Sequence, residues 1–227
     1  KARVVVVGAG ALGIEVVKNL AQLGVGHLTV VDFDEIVLAN LNRCVFFTES
    51  DVGAFKADVI AREVKKINPS VDVSVEKKRL EELPESFFSS FDYAFGCLDN
   101  QSTRLHLNAQ CYGRMPLIDG GTTGFYGKMQ VVRSPSSCVE CSLSKRDYAL
   151  QWKKYSCVGE VIDFLDPKMP ALSTTTSLIA ALQVNEFVKL AHGMQSLEGK
   201  YVYYDGTKAT LLVFEVAKRK NCPVHEF

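Results

Sequence analysis

Apolar positions in the first half of the chain fall into two alternating periods. Residues 3–7 read Arg-Val-Val-Val-Val, and an unbroken β-branched run suits a strand covered on both faces. After a glycine-rich turn, Ile14, Val17 and Leu20 recur at helical spacing. Residues 27–31 read as a second strand. The period lengthens again over 52–67, which predicts a helix closed at Asn68-Pro69, since proline cannot continue it. Strands follow at 71–75 and 91–95, a helix at 101–112, and a fifth strand starts at 116–118. Such alternation predicts βαβ units and a Rossmann-like, doubly wound α/β sheet, mostly parallel.

The second half changes character. Glycines punctuate 122–132, which reads as antiparallel strand and turn, and 134–143 reads as a loop carrying Cys138 and Cys141. Weak periodicity marks a long crossover with partial helix at about 144–172. A strong helix spans 173–192, its apolar face including Leu178, Ala181, Leu182 and Phe187. Residues 201–204 and 211–216 form a hairpin about Asp205-Gly206, extending the sheet with antiparallel strands. No repeat or linker divides the chain, so residues 1–227 are expected to form one domain.

Composition narrows the functional classes. The 227 residues include 26 basic and 26 acidic side chains, a formal net charge of zero, and 47% are hydrophobic, enough for a sizeable core. A neutral balance disfavours a broad nucleic-acid or membrane-surface footprint. No apolar run approaches the ~18–20 residues of a membrane span. The first residues read as a strand and not as a signal peptide, and the seven cysteines are an odd number. A reducing, cytoplasmic setting is expected.

The chemistry begins at Gly8-x-Gly10-x-x-Gly13, between strand and helix, where small residues let backbone N–H groups approach a phosphate. Asp32 stands 19 residues beyond Gly13, at the end of the second strand, suited to ribose hydroxyls. A tight turn without ligand is the plain alternative. Asp32-x-Asp34 leads into Asn40-Leu41-Asn42-Arg43, and Lys56 follows. These cationic and amide donors suit a triphosphate better than a dinucleotide. Asp99, after the fourth strand, reads as a Mg²⁺ ligand or else as the N-cap of the next helix. Arg104 reads as part of the site or as a solvated surface residue.

Cys138-x-x-Cys141 and Cys222-Pro-Val-His225 share one spacing, and three thiolates with an imidazole make a tetrahedral Zn²⁺ site of structural type. Two unrelated pairs, one a redox dithiol, are the alternative. Cys97 and Cys111 read as buried small hydrophobes.

Taken together, the glycine turn, Asp32-x-Asp34-x-Ile36, Asn40-Leu41-Asn42-Arg43, Lys56, and Cys97-x-Asp99-Asn100 with Arg104 resemble the adenylation domain of ubiquitin-like-protein activating enzymes. That superfamily includes the prokaryotic MoeB, ThiF and HesA proteins. The resemblance implies ATP-dependent adenylation of the C-terminal glycine of a small ubiquitin-fold or sulfur-carrier protein ending in Gly-Gly, with release of pyrophosphate. It further implies ribose binding by Asp32, phosphate binding by Asn40, Arg43 and Lys56, and Mg²⁺ at Asp99. A homodimer and a downstream carrier or conjugating protein are implied as partners.

Two departures stand out. Glutamine commonly follows the Asn-Arg pair, and this chain has Cys44 there. Many relatives carry an arginine-bearing segment ahead of the first strand, and this sequence starts on the strand itself.

Cys157 lies in the crossover after Lys153 and Lys154, cations that favour a thiolate. In relatives that form a thioester the nucleophile occupies the corresponding region, so Cys157 is the candidate for a second step. Glu160 and Asp163 oppose that, and an unreactive loop cysteine is the alternative. An NAD- or FAD-binding oxidoreductase, a same-fold adenylating enzyme acting on tRNA or a peptide, and a catalytically silent partner subunit are the competing functions.

Overall fold

The computed structural model describes residues 1–143 and 171–225. Its strands are β1 (Arg3–Val7), β2 (His27–Val31), β3 (Asp72–Glu76), β4 (Tyr93–Gly96), β5 (Leu117–Thr123), β6 (Tyr126–Val132), β7 (Lys200–Asp205) and β8 (Thr210–Glu215). They form one sheet in the order β3-β2-β1-β4-β5-β6-β7-β8. The first five pair in parallel and the last three antiparallel, the mixed doubly wound sheet that the sequence predicts. The order reverses between β1 and β4, so a crevice opens at their carboxyl ends, the usual ligand position in such sheets.

The valine run of β1 serves both faces. Val4 and Val6 join one core with helices α1 (Ala11–Leu23) and α2 (Lys56–Ile67), while Val5 and Val7 join a second core on the other face. That second core contains Phe88 of the short helix α3 (Glu85–Phe88) and Leu107 of α4 (Gln101–Cys111). Helix α5 (Ser173–Ala191) closes the first face against β5 and β6.

Two boundaries and one helix face differ from expectation for local reasons. Helix α2 begins at Lys56, not at 52, because Gly53 takes φ +90° and Asp51 ties back a short turn over Glu49–Asp51. The hairpin loop after β7 is longer than Asp205-Gly206. Asp205 Oδ1 binds the Thr207 N–H at 3.0 Å, and Ala209 takes φ +52° before β8. The buried face of α5 includes Thr176, Ile179, Ala180, Gln183, Val184, Glu186 and Phe187, whereas Ala181 is exposed. A glutamine in that stripe is what apolar patterning misses. On β8, Leu211, Leu212, Val213 and Phe214 are all exposed. Among the described residues no helix is long and apolar enough to cross a membrane.

Candidate functional site

The three glycines after β1 have three different duties. Gly8 has φ +98°, and a Cβ there would lie 2.5 Å from the Cys97 carbonyl oxygen. A Cβ on Gly13 would lie 1.9 Å from the Gly8 carbonyl oxygen, so this glycine lets α1 sit tight against the turn. Gly10 is the N-cap of α1, and its missing Cβ would meet nothing within 4 Å. Gly8 and Gly13 serve the fold. Gly10 faces open space at a helix N-terminus, where backbone N–H groups point outward and the helix dipole favours an anion.

Asp32 braces this loop: Oδ2 accepts the Ala9 N–H at 2.6 Å and Oδ1 the Asp34 N–H at 2.9 Å. Burial raises its carboxyl above the ordinary value, opposed by the nearby Lys56 charge and those two N–H groups. Lys56, buried at the start of α2, reaches back to Asp34 with Nζ 2.7 Å from Oδ2. Asn40 is buried, and its Oδ1 accepts the Val37 N–H at 3.0 Å, fixing the turn Leu38–Asn40. Arg43 lies half-buried after that turn, donating through Nη1 to the Ala39 carbonyl at 2.6 Å and to Asn42 Oδ1 at 3.0 Å. Cys44 lies buried, its thiol pushed up to about 11 by burial in spite of Arg43 and Lys56. A neutral thiol there is a packing group.

Across the crevice, Asp99 follows β4 with an exposed carboxylate that has no hydrogen-bond or ion-pair partner among the described residues. The capping duty falls to Asn100, whose Oδ1 accepts the Thr103 N–H at 2.8 Å, leaving the Asp99 oxygens free. A free carboxylate at this edge fits Mg²⁺, which takes one or two carboxylates and fills its remaining positions with phosphate oxygens and water.

Arg104 is buried, in contrast to the solvated alternative. Its Nη1 donates to Asp119 Oδ2 and, at 2.7 Å, to the Gly120 carbonyl, while Nη2 donates to the Leu98 carbonyl. Beside it Gln183 Nε2 donates to the carbonyls of Ile118 at 2.8 Å and Gly96 at 3.3 Å. Nothing in the local sequence pattern points to this cluster. Its trace was in the glycines: a Cβ on Gly96 would lie 2.4 Å from Asp119 Oδ1, and one on Gly120 would lie 2.5 Å from Gln183.

At the other end of α4, Cys138, Cys141, Cys222 and His225 converge with all ligand atoms within 4.8 Å of one another. Cys138 Sγ lies 3.9 Å from Cys141 Sγ and 3.7 Å from Cys222 Sγ, and Cys141 Sγ lies 3.7 Å from His225 Nε2. Sulfur ligands about 2.3 Å from a tetrahedral ion stand roughly 3.8 Å apart, so the four groups fit zinc. Burial raises the Cys138 thiol, and a dication there would hold it as thiolate. Outer contacts fix the set: the Tyr112 ring stacks on His225 at 4.6 Å, and Asn108 Oδ1 accepts the Val139 N–H at 3.1 Å. Cys97 and Cys111 are buried as expected, and Cys157 lies outside the described residues.

The sheet, the glycine loop and the charged crevice define a nucleotide-binding α/β domain with an attached Cys/His cluster. The ThiF family model matches residues 1–224, and the chain belongs to that family. It is 31% identical to the molybdopterin-synthase adenylyltransferase of Salmonella typhimurium over 98% of this chain and 86% of that protein. It is 27% identical to the Nedd8-activating enzyme E1 catalytic subunit of Drosophila melanogaster over 98% of this chain and 66% of that subunit, so it spans just under two thirds of that relative. A crystal structure of E. coli MccB with ATP superposes with a TM-score of 0.80 at 22% identity, covering 99% of this chain and 66% of that one, a likeness of fold.

Proposed function

We propose that this chain is an ATP-dependent adenylyltransferase that activates the C-terminal glycine carboxylate of a small ubiquitin-fold or sulfur-carrier protein. The observation that carries the reading is that an open helix N-terminus at Gly10, the cations Arg43 and Lys56 and the free Asp99 carboxylate all stand on segments that follow the adjacent parallel strands β1, β2 and β4. Gly8, Gly10 and Gly13 shape the seat for the phosphates, with Gly10 leaving the approach clear. Asp32 would take the ribose hydroxyls, and Asp34 holds Lys56 ready beside it. Asn40 holds the turn that presents Arg43, and Arg43 with Lys56 supplies fixed positive charge where two anions must meet. Asp99 would hold Mg²⁺, which adds charge against the phosphates when bound.

In the step itself, a carboxylate oxygen of the substrate attacks the α-phosphorus. The bond from that phosphorus to the bridging oxygen breaks, and pyrophosphate leaves with the bonding pair. No protein nucleophile takes part. A second step at Cys157 would form a thioester as AMP departs. The Cys/His cluster would hold one Zn²⁺ with all four positions filled, leaving no place for a catalytic water. The working unit would be a homodimer that passes its product to a carrier or conjugating protein.

The test is ATP–pyrophosphate exchange across a panel of small proteins ending in Gly-Gly, with short peptides, tRNA and nicotinamide or flavin cofactors as controls. Exchange stimulated by one Gly-Gly protein and abolished in Asp99→Ala is the expected result. Cys157→Ala should keep exchange and lose only a reducible adduct. Exchange driven by a peptide or by tRNA would reassign the substrate, and tight nicotinamide binding without exchange would overturn the reading.

A further inference from the structure

Resting on the Asp99 assignment just proposed, we infer that the buried pair Arg104–Asp119 positions Asp99 for the metal. Asp99 is exposed and unpartnered among the described residues, so its direction is set by the backbone that carries it. That backbone is the Cys97–Asn100 turn, whose Cys97 N–H pairs with the Val7 carbonyl at 2.9 Å, and two further ties bracket Asp99 itself. Asn100 is fixed to α4 through its cap on Thr103, and the carbonyl of Leu98, the residue just before Asp99, accepts from Arg104 Nη2. The other arm of the same guanidinium grips β5 through Asp119 and the Gly120 carbonyl. A single rigid fork thus ties the turn after β4 to the neighbouring strand, a task that lysine, with one point donor, cannot repeat.

The fold makes unusual room for this arrangement. Gly96 and Gly120 leave space for Asp119 and Gln183, and a Cβ on Gly121 would lie 3.0 Å from Arg104 Nη2. Asp119 Oδ1 has no partner among the described residues, so this buried carboxylate serves Arg104 alone. A pair kept only for packing would be replaceable by apolar side chains of similar volume. This one has a backbone carbonyl beside the crevice as its third member. Gln183, in the same cluster, reaches Gly96, Ile118 and the Cys97 side chain but not the Leu98 carbonyl beside Asp99, which makes it the comparison for a general loosening of the cluster.

The experiment measures Mn²⁺ binding by electron paramagnetic resonance, with the full chain saturated by α,β-methylene-ATP, alongside thermal melting of each variant. Asp99→Ala should weaken Mn²⁺ binding at least tenfold. Arg104→Lys and the isosteric Asp119→Asn should weaken it at least fivefold, whereas Gln183→Met should lower the melting temperature and leave Mn²⁺ affinity within twofold of wild type. Wild-type Mn²⁺ affinity in Arg104→Lys and Asp119→Asn, with Asp99→Ala impaired, would overturn the positioning role and leave the magnesium reading intact. Unchanged affinity in Asp99→Ala would overturn both. Equal weakening in Gln183→Met would assign the effect to general loosening and sink the inference.

Discussion

Lys56 Nζ lies 2.7 Å from Asp34 Oδ2, so the cation at the start of α2 is already engaged before a phosphate arrives. Asp34 is half exposed, and such a pair contributes about 0.5–1 kcal/mol. If Lys56 takes a phosphate as proposed, that phosphate must compete with the pair. Asp34→Asn should therefore lower the KM for ATP about two- to fivefold. Lys56→Ala should raise it at least about tenfold, the scale of a charged hydrogen bond worth about 1.5–3 kcal/mol. Initial-rate kinetics of pyrophosphate exchange measures both, and a higher KM in Asp34→Asn would show that Asp34 itself contacts the nucleotide.

The glycine loop predicts a separation of stability from binding. Gly13→Ala puts a methyl group 1.9 Å from the Gly8 carbonyl oxygen and should destabilise the fold by on the order of 3 kcal/mol. Gly10→Ala meets no atom and keeps an ordinary φ of −78°, so urea unfolding should change by less than about 0.5 kcal/mol. Its KM for ATP should still rise, because the methyl group would stand where the phosphate approaches.

Metal analysis should find about one zinc per chain, and chelation should lower the melting temperature by on the order of 10 °C, as expected when a tightly bound native-state ligand is lost. His225→Ala should lose the ion, while His225→Cys should retain it, since thiolate and imidazole both suit zinc. A folded, metal-free wild-type protein would contradict the site.

Asp51 gives a pH signature of its own, in the turn that precedes α2. Its carboxylate accepts from Arg62 Nη1 at 2.8 Å, Thr48 Oγ1 at 2.7 Å and the Thr48 N–H at 3.0 Å. The Arg62 hydrogen bond first, then those from Thr48, hold the carboxyl well below the usual range. A depressed value in the folded state contributes stability above the unfolded pKa of about 4 and loses it as pH falls. Asp51→Asn should be less stable by about 1–2 kcal/mol near neutrality, with the gap closing as pH drops below about 4. Urea denaturation across that range measures it, and a pH-independent gap would exclude the charge as its origin.

Much of this architecture was readable because its causes are local. The valine run of β1, the glycine turn and the two C-x-x-C/H pairs each declare themselves within a few residues. Where causes are distant, reading failed. Nothing near Arg104 or Gln183 says that either is buried, because their partners lie on β4 and β5, up to 87 residues away. Apolar spacing carries the expected helix back to 52, but the positive φ of Gly53 delays its start to Lys56.

The berth cut by Gly96 and Gly120 also governs how such a sequence can drift. A methyl group at position 96 collides with Asp119, and one at 120 with Gln183, so neither glycine can change first without penalty. Substitutions here must arrive in order, the large polar residue shrinking before the glycine grows. Asp119→Ser should consequently rescue part of the damage done by Gly96→Ala, a sign epistasis between two strands that are neighbours in the sheet and 23 positions apart in the chain.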